Sequence, residues 1–174
     1  MASATGDTEH DAVPVEHVVS LLRERLYGAI SCLATLAVLV RYTAGATSAW
    51  ARVLDVAVAT GGLWAASLLA DWIAHLGVYG RAPRGHRAAR MLQSSAQILE
   101  AAFLPLVVLA VAGAELLSTY TAMWIAMWIV VGELGVIALL AVRRTRLPGW
   151  QQAMTVAGLV GVGVLVLGIK IIAH

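Results

Sequence analysis

Five long apolar stretches limit what this chain can fold into more than any other feature. They run over residues 26–43, 53–76, 96–117, 122–142 and 153–173. The hydrocarbon core of a bilayer is roughly 30 Å thick, so a helix that crosses it needs about 20 mainly apolar residues. Each stretch meets or approaches that length. The sequence therefore predicts an all-α, polytopic membrane protein with five transmembrane helices.

The composition leaves little room for a soluble domain. Of the 174 residues, 60% are hydrophobic and only 13% are charged, whereas a soluble domain is about half apolar and a quarter charged. We predict a single five-helix transmembrane domain over residues 14–174, preceded by a disordered acidic tail over residues 1–13. The predicted partner is the lipid bilayer, and no nucleic-acid partner is predicted.

The arginines predict the orientation of the chain. With five spans, nine of the twelve basic residues fall on one side of the membrane: Arg23, Arg25, Arg81, Arg84, Arg87, Arg90, Arg143, Arg144 and Arg146. Basic residues in short loops stay in the cytoplasm. We therefore predict a cytoplasmic N-terminus and an outer C-terminus in the cell's cytoplasmic membrane.

Polar side chains recur at helical spacing within three of the stretches. The three sets are Tyr27, Ser31 and Thr35; Thr60, Trp64, Ser67, Asp71 and His75; and Gln93, Gln97 and Glu100. Spacings of three and four place each set on one face of a helix. Three aligned polar faces predict a common polar interior.

Ionisable groups within membrane spans are costly and often functional. Glu133 lies near the middle of the fourth stretch, where no basic residue is predicted at its depth, and it is the strongest single candidate. The predicted cation path contains Asp71, His75, Glu100, Glu133, Ser31 and Gln97.

Two functions fit this pattern. The first is a transporter or channel that passes a proton or a divalent metal ion along the carboxylates. Asp71, His75 and Glu100 are the candidate metal ligands, because such side chains suit divalent first-row metals. The second is a non-catalytic structural or accessory subunit, in which Asp71 and Glu100 pair with nearby arginines. An enzyme is not predicted, because no paired-His, nucleophile-elbow or phosphate-loop motif is present.

The last stretch carries small residues at four-residue spacing, namely Ala153, Ala157 and Gly161. Small residues at this spacing let helices approach closely. They predict either packing within the chain or the seam of a homo-oligomer, with a dimer favoured.

The chain resembles the vacuolar iron transporter family in its five-helix plan. Gly28-Ala-Ile-Ser-Cys32 is similar to that family's Gly-Ala-x-Asp-Gly run, with Ser31 and Cys32 where the family has Asp and Gly. Residues 70–79 fall where the family has an acidic residue followed by metal-binding side chains, and the last span is also similar. The resemblance implies divalent-metal transport. The family's Glu-rich insert is replaced here by an Arg-rich loop. The chain as a whole also resembles the small membrane proteins that are common in high-GC bacteria.

Overall fold

A computed structural model describes residues 15–41, 48–143 and 148–172. Over these residues the chain forms five helices and no strand, which confirms the all-α prediction. The helices are α1 (Val15–Arg41), α2 (Ala49–Tyr79), α3 (His86–Gly113), α4 (Thr119–Arg143) and α5 (Gly149–Ile172). The predicted acidic tail, residues 1–13, lies outside the described residues.

Three of the helices in the described part are long and apolar enough to cross a membrane. They cover Ala49–Tyr79, His86–Gly113 and Thr119–Leu140. This finding supports the predicted membrane location and the second, third and fourth spans. The first and fifth spans, and the side on which each terminus lies, stay predictions.

Local capping sets the helix ends. The hydroxyl of Ser48 accepts the N–H of Ala51 at the start of α2, and Gly80, with φ of 63°, ends that helix in the left-handed conformation. The prediction that the third span reaches residue 117 is wrong. The helix ends at Gly113, and Glu115 adopts a positive φ of 63°.

The helices α1, α3 and α4 form the core, and their facing sides bury Leu33, Leu36, Leu109, Met127 and Leu134. On one flank, α2 packs against α3 and α1, and on the other, α5 packs against α4 and α1. Most of α2 faces outward, and the side chains it buries lie in its first turns. A bundle that exposes so much apolar helix surface fits lipid surroundings.

Interhelix contacts show which helix ends lie together. The hydroxyls of Ser20 and Ser94 are 2.6 Å apart, so the amino ends of α1 and α3 are neighbours. At the opposite end, Trp50 of α2 packs against Gly113 of α3. The amino ends of α1 and α3 therefore share one end of the bundle with the carboxyl end of α2, and the carboxylate contacts described below lie toward this end.

Candidate functional site: an arginine–carboxylate network

A close approach of α1 and α3 creates the site. At Gly28, an added Cβ would lie 2.7 Å from the Cα of Ile98 and 2.9 Å from its carbonyl oxygen. Such distances exclude any side chain at this position, so glycine allows the two backbones to touch. The contact brings Arg25, one turn before Gly28, beside Glu100 on α3.

Arg25 joins three helices through its guanidinium. Its Nε donates to Oε1 of Glu133 on α4 at 2.8 Å, and its Nη1 lies 3.4 Å from Oε2 of Glu100 on α3. The exposed fraction of the side chain is 13% for Glu133, 36% for Arg25 and 55% for Glu100. The Glu133 contact is the shorter and more buried of the two, so it is the stronger.

The pairing corrects one expectation and confirms another. The prediction that no basic residue lies at the depth of Glu133 is wrong, because Arg25 reaches it. The two side chains meet directly, because Nε of Arg25 lies 2.8 Å from Oε1 of Glu133. The predicted pairing of Glu100 with an arginine is confirmed.

A second cluster joins α1 to α2. Glu24 is buried, with only 6% of its surface exposed. Its Oε1 accepts the guanidinium of Arg23 at 2.9 Å, and its Oε2 accepts the hydroxyl of Ser67 at 2.8 Å. Asp71, one turn further along α2, interacts electrostatically with Glu24 and Arg23. The hydrogen bond between Glu24 and Ser67 therefore joins α1 to α2.

One short segment of α1 supplies all of these contacts. Ser20 reaches α3, Glu24 reaches α2, and Arg25 reaches both α3 and α4. Residues 20–25 therefore connect the first helix to the next three through polar groups. We call this set, Ser20, Arg23, Glu24, Arg25, Ser67, Asp71, Ser94, Glu100 and Glu133, the polar network.

The other predicted path residues are not part of this network. Ser31 is half-buried and its carbonyl oxygen accepts the hydroxyl of Thr35 on the same helix at 2.9 Å. Gln97 is also half-buried. The ring of His75 lies 4.5 Å from that of Tyr79, toward the end of α2.

The three candidate metal ligands do not lie together. Across the described helices and connections, no three His, Cys, Asp or Glu side chains converge. Asp71, His75 and Glu100 are thus not brought together, and Glu100 already faces a guanidinium. A guanidinium beside a carboxylate repels an incoming cation.

Ion pairing also occurs at the opposite end of the bundle. There Nη1 of the buried Arg52 lies 3.2 Å from Oδ2 of Asp55, three residues along α2. This ion pair joins two residues of the same helix and lies outside the polar network.

Sequence reasoning missed Glu24 as a site residue. The signal was present, because Ser20 and Glu24 extend the polar stripe of Tyr27, Ser31 and Thr35 backward at spacings of four and three. The predicted stripe begins at Tyr27, inside the predicted span that starts at residue 26, and both residues precede that span.

Comparisons with protein-family models, with curated proteins and with solved structures find no match for this chain. The resemblance to the vacuolar iron transporter family therefore stays a prediction.

Proposed function

We propose that this chain is a non-catalytic structural or accessory subunit of the cytoplasmic membrane, with five spans and a cytoplasmic N-terminus. The observation that carries the proposal is Arg25, whose guanidinium contacts Glu100 on α3 and Glu133 on α4. In a bilayer, apolar surface gives little drive for one helix to prefer another, so packing and polar contacts determine the arrangement. The polar network supplies such contacts between α1 and each of the next three helices.

Electrostatics favour this role over passage of a divalent cation. A cation that used Glu133 would have to displace a guanidinium held at 2.8 Å. It would also pass within range of the Arg25 charge at low dielectric, where repulsion is strong. Glu100 and Glu133 already have Arg25 as their counterion, as expected of a permanent link between helices.

Passage of protons is the second candidate, and one observation favours it. The polar network contains four carboxylates, those of Glu24, Asp71, Glu100 and Glu133, but only two guanidinium groups, those of Arg23 and Arg25. The surplus carboxylates provide sites that could take up and release protons. Chains of acidic side chains in membrane proteins serve as proton relays.

The variant Glu133→Gln distinguishes the two functions. It keeps the shape and the acceptor oxygen but removes the titrating group. For a structural link we expect wild-type liposomes to show no proton or divalent-metal flux, and the variant to lose about 1 kcal/mol of stability as a charged hydrogen bond becomes neutral. The measurements are dye-reported flux and thermal unfolding.

The matched control is Gln152→Ala on α5. This residue lies outside the polar network, and its replacement changes no charge, whereas Gln97→Glu would add one. Wild-type proton flux that disappears in Glu133→Gln but persists in Gln152→Ala would replace the structural role with proton passage.

Self-association through α5 remains part of the proposal. Ala153, Ala157 and Gly161 are exposed, and Ala153 and Ala157 line an open groove between α4 and α5. An added Cβ at Gly161 would meet nothing within 4 Å. Small residues that leave space within one chain are available to a second copy.

We therefore expect Gly161→Leu to reduce the mass of the detergent-solubilised particle to that of one chain, because the larger side chain separates the paired backbones. Gly62→Leu on α2, an equally open glycine, is the matched control and should leave the mass unchanged. An unchanged mass in Gly161→Leu would show that this face is not the seam. Light scattering after size-exclusion chromatography measures the mass of the particle.

A further inference from the structure

A basic cleft lies between the carboxyl end of α2 and the first turns of α3, and the polar network does not use it. The cleft has a volume of about 300 Å³ and is lined by His75, Tyr79, Arg87, Arg90 and Met91. The Arg87 guanidinium carbon lies 4.8 Å from the centre of the Tyr79 ring, and the centre of the His75 ring lies 4.5 Å from the same point. Stacking holds one guanidinium in place at the rim.

The two arginines that line the cleft lie in a stretch of sequence without acidic residues. No Asp or Glu occurs between Asp71 and Glu100, whereas four arginines do. Within the described part of the chain, neither Arg87 nor Arg90 forms a salt bridge. Both side chains are exposed, so their donors are available to a ligand.

An apolar groove continues from the cleft along α2. Trp64, Leu68 and Trp72 line this groove, which has a volume of about 370 Å³. Positions 64, 68, 72, 75 and 79 recur every three or four residues, so the groove and the cleft lie along one stripe of the helix. A charged pocket at the end of a membrane-length helix and an apolar groove along it therefore lie on one face of that helix.

We propose that the cleft binds the phosphate of an anionic glycerophospholipid, with an acyl chain lying along the Trp64–Trp72 groove. Guanidinium groups match phosphate oxygens in geometry and charge. Basic pockets between membrane helices bind anionic headgroups. A free phosphate shares this chemistry but would leave the apolar groove empty. The proposal requires only that α2 lies in the membrane. It does not depend on the structural role of Arg25, so each of the two proposals can fail without the other.

The test uses the full chain in a mild zwitterionic detergent. Phosphatidylglycerol, phosphatidylcholine or inorganic phosphate is added, and bound lipid is counted by native mass spectrometry alongside the unfolding temperature. We expect phosphatidylglycerol to bind and to raise the unfolding temperature, and the other two to do neither. In Arg87→Gln/Arg90→Gln, affinity should fall at least about tenfold, since two charged hydrogen-bonding groups are lost.

Arg81→Gln/Arg84→Gln is the matched control, because it removes the same charge from the adjacent α2–α3 connection without touching the cleft. It should bind as the wild type does. Equal losses in both double variants would mean diffuse attraction to a basic surface and would overturn the site. Stabilisation by inorganic phosphate equal to that by the lipid would overturn the lipid assignment. Tyr79→Leu should weaken binding by removing the platform under Arg87, whereas Tyr79→Phe should restore it.

Discussion

Replacing Arg25 with leucine is expected to destabilise the bundle more than any other single change in the polar network. The substitution removes the one guanidinium shared by Glu100 and Glu133, and it leaves Glu133 with only 13% of its side chain exposed and no countercharge. Breaking a buried ion pair by removing one partner costs about 3–5 kcal/mol. Because Arg25 is itself partly exposed, we expect a loss of about 3 kcal/mol. Unfolding of the full chain in detergent, followed by tryptophan fluorescence, measures it.

Two controls accompany this prediction. Arg25→Lys keeps the positive charge but lacks the forked donors that reach two carboxylates, so it should fall between wild type and Arg25→Leu. Arg84→Leu removes an exposed arginine outside the network and should change stability little. If Arg25→Leu is no more destabilising than Arg84→Leu, the network does not hold the helices together.

Replacing Gly28 with leucine is expected to have the second large effect, through shape rather than charge. A Cβ at this position would lie 2.7 Å from the Cα of Ile98 and 3.2 Å from the Cβ of Ala101. The nearest atoms belong to the backbone of α3, so they cannot rotate away. The helices must separate, and we expect a loss of at least about 3 kcal/mol, beyond ordinary overpacking. The same separation should move Arg25 away from Glu100.

Gly62→Leu provides the matched control for size, because a Cβ there meets nothing within 4 Å. Gly28→Ala should already be destabilising, since the clash begins at Cβ. If Gly28→Ala unfolds at the wild-type temperature, α1 and α3 are further apart than the structure places them. Thermal unfolding followed by circular dichroism is sufficient for all three variants.

The helices were predictable because their signal is local. Twenty-residue apolar stretches separated by Pro148–Gly149 or by arginine-rich connections predict helices with little ambiguity. The end of α3 was missed because residues 114–117 remain apolar apart from Glu115. The helix stops there through backbone conformation, with Glu115 at positive φ, and an apolar count contains no information about that.

The site was only partly predictable, because it depends on contacts between helices. Sequence spacing placed Asp71 and Glu100 on polar faces, and Glu133 was predicted from its position near the middle of the fourth stretch. The structure confirms the arginine pairing of Glu100. It could not show that α1 rotates Arg25 toward Glu133. The predicted membrane boundary at residue 26 placed Arg25 outside the hydrocarbon, and a long arginine side chain reaches deeper than its backbone position indicates. Gly28 makes that reach possible, and its role appears only when α3 is beside it.

The most direct test of the account is a double-mutant cycle between Arg25 and Glu133. Arg25→Leu, Glu133→Leu and the double variant are unfolded under the same detergent conditions as the wild type. If the two side chains form the link between α1 and α4, the double variant should be more stable than the sum of the single losses predicts, with a coupling energy of about 1–3 kcal/mol. Strictly additive losses would contradict the account, because they would mean that Arg25 and Glu133 do not interact in the folded bundle.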